Sequence, residues 1–318
     1  MKTRTFLTLA IAAIVLAAIS WWIGQMSYSW MPPEASIEAK LVDDLFSLLV
    51  AVASFIFLGV TGTLLYSAVF SRAAKYDTSD GPPIEGNVAV EVVWTVIPFV
   101  IVMGIAFYSY QIYDQMDVHG PMEHRHAAVP TDAAAPQVPT ERPAEVEEIE
   151  VLAWQWAWEF RYPNANVSST ELHVPSDRRI RLALKADSVI HGFYVPAFRL
   201  KQDIIPRTDA QLEFTPILEG TYRLRDSQYS GTYFAAMQAD VVVQSPEDYD
   251  QWLTLAASQP PATAYNQAVY EYERAAKKPI SAGWKSVPPA PAPMVNYAAD
   301  PQPVSPQAAI PTPEDKQS

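Results

Sequence analysis

The run LFSLLVAVASFIFLGVTGTLLYSAVF, from Leu45 to Phe70, carries no charge and is long enough to span a bilayer with some tilt. A second uncharged run, VVWTVIPFVIVMGIAFYSYQIY from Val92 to Tyr113, repeats the pattern. Pro98 interrupts it, which membrane helices tolerate when neighbouring groups satisfy the freed carbonyl. Uncharged runs of this length favour membrane helices over buried helices of a soluble core. Arg72 and Lys75 lie in the short connection between the runs and place it in the cytoplasm. Asp77, Asp80 and Glu85 share that connection, but acids count little for orientation. Everything after Tyr113 is then expected outside, in the periplasm or an equivalent lumen.

Upstream, Lys2 and Arg4 precede an apolar stretch from Phe6 to about Ile23, and no charge appears before Pro33. Residues 1–30 therefore read as a signal peptide or a signal-anchor helix. Trp21 and Trp22 stand where an interfacial aromatic belt would sit. Ala17-Ala18-Ile19-Ser20 is a mediocre cleavage site, which favours retention as an anchor. Residues 31–113 form the two-helix membrane anchor.

Residues 114–146 are rich in Ala, Pro and charge without a period, and read as a linker. His119, Glu123, His124 and His126 lie in it, but a flexible segment does not preorganise metal ligands. From 147 to 245 short alternating segments follow: Glu148 to Leu152, Ile180 to Leu184, Gln211 to Phe214, Thr221 to Leu224 and Ala239 to Val243. Such spacing predicts a β-sandwich or Greek-key barrel. Residues 246–259 read as a short acidic helix. Ten of the 28 prolines fall after residue 278, so residues 260–318 are expected to form a disordered or extended tail.

The chain has 318 residues, 49% hydrophobic, with a formal net charge of -13. The acidic balance argues against a nucleic-acid partner. There are no cysteines, which excludes disulfides, thiolate catalysis and zinc-thiolate, iron–sulfur and blue-copper sites.

Dispersed segments, in order between about Pro33 and Gln259, resemble subunit II of haem–copper cytochrome oxidases. They are Asp43-Asp44-Leu45-Phe46, the stretch from Glu91 to Pro98, Trp154-Gln155-Trp156-Ala157-Trp158, and the stretch from His191 to Asp203. The resemblance implies a transmembrane α-hairpin, with the N-terminal signal or anchor helix before it, followed by an all-β cupredoxin-like sandwich. It implies that His191 stands at the first ligand position of a dinuclear copper centre. The remaining ligands of the family sit on a Cys-x3-Cys-x3-His-x2-Met loop, and here the sequence departs from it. Asp226 and Ser230 occupy the cysteine positions, Phe234 the histidine position, and Met237 alone is kept. Bridging thiolates give the pair its covalency, which hard oxygen donors cannot supply, so the centre is expected to be absent and Phe234 to fill its cavity with a ring. His191 and Met237 would then be a loop histidine and a core methionine. Gln228 stands where the family has a magnesium-binding glutamate, which puts that ion in doubt.

The resemblance further implies that Glu91 marks a proton-channel entrance, against the plainer reading of a carboxylate at a helix N-terminus. Trp156 matches the electron-entry tryptophan of the family, vestigial without copper behind it. With Trp154 and Trp158 it is expected to alternate along one strand and share one face. The chain itself would carry no cofactor, with haems and the active-site copper in subunit I. Subunits I and III would be partners in a bacterial plasma or thylakoid membrane. The whole pattern looks like subunit II of the alternative respiratory terminal oxidases of cyanobacteria, and Ile84-Glu85-Gly86-Asn87 adds to that impression. The expected complex reduces oxygen to water, conserves energy as a proton gradient and draws electrons from a membrane quinol. A soluble donor with a copper-free route, and a membrane-anchored assembly module without catalysis, are the competing expectations.

Overall fold

The computed structural model describes residues 3–72, 76, 86–116, 146–277 and 286–299. Lys75, the acids of the first connection, the linker histidines and the last part of the tail lie outside these residues. The chain divides into two compact units, Met1–Glu34 with Glu38–Val118, and Ala35–Ile37 with His119–Ser318.

The first unit contains three helices, α1 (Thr3–Met26), α2 (Ile37–Phe70) and α3 (Val88–Gln115), and each is long and apolar enough to cross a membrane. Much of their apolar surface lies outward: Phe57, Leu64, Trp94, Phe99 and Phe107 are all exposed. An outward apolar surface suits lipid or a membrane partner rather than water. Helix α2 starts earlier than the uncharged run predicts. Its 34 residues at a rise of ~1.5 Å make about 51 Å, against a hydrocarbon core of about 30 Å. The surplus carries Glu38, Lys40, Asp43 and Asp44 on the first turns, which is why the charges do not end the helix. Asn87 caps α3, its side chain accepting hydrogen bonds from the N–H groups of Ala89 and Val90.

The second unit is a β-sandwich. Its strands are β1 (Val146–Trp154), β2 (Ala157–Tyr162), β3 (Val167–Ser169), β4 (Leu172–Pro175), β5 (Arg179–Ala186), β6 (His191–Val195), β7 (Leu200–Ile204), β8 (Ala210–Phe214), β9 (Gly220–Asp226) and β10 (Gln238–Gln244). They form one sheet in the order β3-β2-β1-β5-β8 and another in the order β4-β10-β9-β6-β7. The alternation read from sequence sets the inner faces. Ile149, Val151, Ile180, Leu182, Leu184, Leu212, Phe214, Leu224, Val241 and Val243 are all buried between the sheets. The outward residues of the first sheet form a charged row across three strands. Glu148 lies opposite Arg181, which lies opposite Glu213, with contacts of 2.8 and 2.7 Å. Burial pushes the Glu213 carboxyl up, but Arg181 and Arg179 outweigh it and hold the group below its usual range. Strands β2, β3, β4, β6 and β7 escape the alternation rule. All four residues of β4 are buried, so that strand has no polar face to reveal it. Residues 35–37 add an edge: Ile37 donates to the Thr215 carbonyl and Ile217 to that of Ala35.

Helix α4 (Pro246–Ala257) is the acidic helix expected after the sandwich. Ser245 caps it, Pro246 opens it, and Tyr249, Trp252 and Ala256 form its buried stripe. The indole of Trp252 stacks on the buried ring of His173 at 3.9 Å, while Tyr162 and Tyr297 meet Trp252 edge-on. Of the segment expected to form a disordered or extended tail, residues 260–277 and 286–299 are described, and they carry structure. Strand β11 (Ala262–Thr263) pairs with β12 (Met294–Val295), and helix α5 (Gln267–Ala276) lies between them in sequence. Tyr297 donates to the Ser168 carbonyl and accepts from Thr170, so the tail runs along the edge strand β3. The described part of this segment is held by aromatic packing, side-chain bonds and backbone bonds to the sandwich rather than by a period of its own. Replacing Trp252 with alanine removes the stack and the helix anchor together. A loss of about 3–5 kcal/mol is expected, read as a lower midpoint in denaturant unfolding of the β signal.

Candidate functional site

The antiparallel pairing of β6 with β9 sets Phe193 opposite Asp226 and brings His191 to the same end of the sandwich. There the carboxylate of Asp226 is saturated. One oxygen accepts from His191 Nδ1 at 2.7 Å and from the Ser230 hydroxyl at 2.8 Å. The other accepts from the N–H groups of Gly192 at 2.8 Å and Gln228 at 3.0 Å. The side chains of His191 and Asp226 are wholly buried. Burial alone would raise the Asp226 carboxyl, but these four donors outweigh it and hold it below its ordinary range. The carboxylate fixes the proton of His191 on Nδ1, and Nε2 is buried without a hydrogen-bond partner.

Two glycines make the approach possible. A Cβ on Gly192 would lie 2.2 Å from Ser227 Oγ, so the turn after Asp226 rides directly over that residue. Gly231 has φ +120, and a Cβ there would meet Trp156 Cζ2 at 2.7 Å. Trp156 is buried under this loop. Its indole N–H and the Gln155 amide both donate to the Ser230 carbonyl, at 3.1 and 2.8 Å. Trp158 donates to the Met237 carbonyl at 3.3 Å and meets the rings of His191 and Phe193 edge-on. The three tryptophans do not share one strand. Trp154 ends β1 and Trp158 lies in β2, with Gln155 and Trp156 forming the turn between them. The hairpin puts Trp158 opposite Ala153 in the core, while Trp154 turns outward to bond Glu159 at 3.2 Å.

Phe234 does not occupy the centre of the cluster. Its ring is half-exposed and packs edge-on against the exposed Tyr229 at 5.2 Å. The polar bonds of Asp226 hold the interior instead. Met237 is buried, and its carbonyl accepts the Asp226 N–H. The amide of Gln228 donates to Asp203 at 2.9 Å, beside an open cavity of about 420 Å³ lined by Val189, Ile190, Asp203, Ile205, Gln228 and Tyr229. Asp203 was not singled out from sequence, although it ends the segment that begins at His191. Glu91 lies in the other unit, on the first turn of α3, with a carboxylate oxygen 2.7 Å from where a Cβ on Gly86 would stand.

Two bridging thiolates, two imidazoles and a thioether are the donors a dinuclear copper pair needs. Asp226, Ser230 and Phe234 offer neither the sulfur nor the second nitrogen, and both Asp226 oxygens are already engaged. The residues present do not fit that group. Among the described residues, no three or more His, Asp or Glu side chains converge as a metal site.

Three apolar helices joined to a two-sheet sandwich, with a loop cluster at one end built from β6 and β9, define a membrane-anchored cupredoxin-like subunit. The family model "Cytochrome C oxidase subunit II, transmembrane domain" matches residues 20–112, and "Cytochrome C oxidase subunit II, periplasmic domain" matches residues 166–245. Cytochrome c oxidase subunit 2 of Synechocystis sp. is 35% identical over 271 residues, covering 78% of this chain and 81% of the relative. The alternative cytochrome c oxidase subunit 2 of Bradyrhizobium diazoefficiens is 27% identical over 142 residues, covering 35% of this chain and 51% of that one. The solved periplasmic domain of subunit II of cytochrome oxidase from Bradyrhizobium japonicum is 25% identical, covers 36% of this chain and 94% of that one, and gives a TM-score of 0.34.

The chain belongs to the cytochrome c oxidase subunit II family. It is a membrane-anchored subunit of a haem–copper terminal oxidase, an oxidoreductase complex in which subunit I is its partner, and its C-terminal domain lies outside the membrane.

Asp226→Ala leaves the buried His191 and Ser230 without their acceptor. A destabilisation of about 3–5 kcal/mol is expected in chemical unfolding. Because the folded carboxyl lies below its ordinary value of 3.8, its contribution is present above that pH and fades as pH falls through the lower folded value. Asp226→Asn should flatten this acid-side dependence, which unfolding curves between neutral and strongly acidic pH will read directly.

Proposed function

We propose that this subunit serves an oxidase that draws electrons from a membrane quinol, and that the dinuclear copper relay has been lost. The observation that supports this reading most is the saturated Asp226 carboxylate, held by His191, Gly192, Gln228 and Ser230 where the family carries thiolate chemistry. A soluble donor needs a relay in the external domain, whereas a quinol reaches the low-spin haem from the bilayer. Haem and active-site copper chemistry would lie in subunit I.

Within this chain, the buried Trp156 packs and braces the Asp226 loop by its bond to the Ser230 carbonyl. The side chain at Gln228 is engaged with Asp203, which disfavours the magnesium role of the family's glutamate. Glu91 offers a carboxylate on the first turn of α3, on the cytoplasmic side that the orientation of the spans implies. We assign it the entrance of a proton path into subunit I, where an ionisable group at a membrane edge can collect protons. Subunit III is proposed as a further partner.

The relatives named as cytochrome c oxidase subunit 2 favour a second reading, with a soluble cytochrome as donor. Oxygen consumption by the purified complex separates the two. Rapid turnover with a reduced quinol, little salt dependence and one copper per haem pair are expected. Rapid turnover with reduced cytochrome c that falls with ionic strength, or three coppers per haem pair, overturns the proposal. Glu91→Gln should slow turnover by roughly tenfold, about 1.4 kcal/mol of barrier, at unchanged haem content, with Glu91→Asp recovering part of it. An unchanged rate in Glu91→Gln removes the proton role.

A further inference from the structure

The N-terminal segment could be a leader removed on export or a permanent part of the membrane unit. Helix α1 is continuous from Thr3 to Met26, and it lies antiparallel against α2. Three contacts mark the alignment. Leu16 reaches within 3.4 Å of where a Cβ on Gly59 would stand. A Cβ on Gly24 would lie 2.8 Å from the Ser47 carbonyl oxygen and 2.9 Å from Ala51 Cβ, so only glycine admits α2 at that distance. The Tyr28 hydroxyl donates to Asp44 at 2.7 Å. As the position rises from Leu16 and Gly24 on α1 to Tyr28 just beyond its end, its partner on α2 falls from Gly59 through Ala51 to Asp44.

The close approach is sealed by polar groups. The Gly24 carbonyl accepts from Ser27 at 2.7 Å within its own helix end and from Ser47 across the interface at 2.9 Å. Ser20, Gly24, Ser27 and Ser47 are buried, although most of the apolar surface of these helices is exposed. Small residues and inter-helix hydrogen bonds are what hold helices together in lipid, where apolar surface alone gives no driving force.

We propose that α1 is retained in the mature protein as a third transmembrane span, docked on α2 through Gly24. The small residues from Ala17 to Ser20, where a processing enzyme would have to act, lie inside the helix, with interface contacts on both sides. Proteolysis concentrates where the chain is loosely held, not within a packed helix. Retention gives three crossings and leaves Lys2 and Arg4 on the cytoplasmic side with Arg72, as the positive-inside rule requires. The Ser47 hydroxyl and Asp44 carboxylate also keep their partners. The inference concerns the membrane unit alone and does not rest on the choice of electron donor.

The test uses the intact complex purified through a C-terminal tag. N-terminal sequencing and intact mass of this subunit should place the mature terminus within the first few residues. A terminus between residues 17 and 31 overturns the proposal. Two leucine substitutions then probe the interface. Gly24→Leu should lower the amount of this subunit recovered with haem by about fivefold or more, the effect of over-packing a close contact. Gly62→Leu, at a position where an added Cβ meets nothing within 4 Å, should leave recovery unchanged. Equal recovery of the two variants would mean that α1 does not dock at Gly24.

Discussion

A buried carboxylate is tolerable only when every oxygen lone pair that matters finds a donor, and Asp226 meets that condition with an imidazole, a hydroxyl and two backbone N–H groups. Those donors come from two places in sequence, on either side of the acceptor's own strand end. His191 and Gly192 lie on β6, Asp226 ends β9, and Gln228 and Ser230 lie on the loop that follows. The carboxylate therefore gathers strand ends and loop as a metal would, but with hydrogen bonds whose geometry is set by the protein alone. The Ser230 carbonyl, fixed by this arrangement, receives Gln155 and Trp156, which ties the β1–β2 turn to the same point. The loop is not slack; a hydrogen-bonded carboxylate holds it.

The elements that sequence revealed are those with one face in each environment. The alternations in β1, β5, β8, β9 and β10 are visible because their inner residues meet the opposite sheet and their outer residues meet water or the charged row of Glu148, Arg181 and Glu213. The membrane spans are visible because lipid demands apolarity on every side. What escaped is equally physical. Strand β4 is buried throughout, and β3 is too short to show a period. The tryptophans at 154, 156 and 158 mimic a strand's alternation, but the chain reverses between the first and the last.

At the site, His191, Asp226, Gln228 and Ser230 were legible as positions, and the structure brings them together. Sequence could not show that Asp226 accepts four hydrogen bonds, since the donors include backbone N–H groups that no pattern records. Nor could it place Phe234, whose ring turns to Tyr229 rather than inward. An apolar side chain on this loop need not turn inward when polar neighbours already satisfy one another.

The strap formed by the described part of the tail has a consequence for how the sandwich meets other chains. An open sheet ends in a row of unpaired N–H and C=O groups, a template on which a foreign strand can grow. Strand β3 is such a margin, and Tyr297 engages both Ser168 and Thr170 along it, with Asn296 bonding the Ser168 N–H and hydroxyl. The protein thus supplies its own last strand in place of an intruder's, and a segment rich in proline is well suited to the task because it can terminate the hydrogen-bonding ladder without offering a new one.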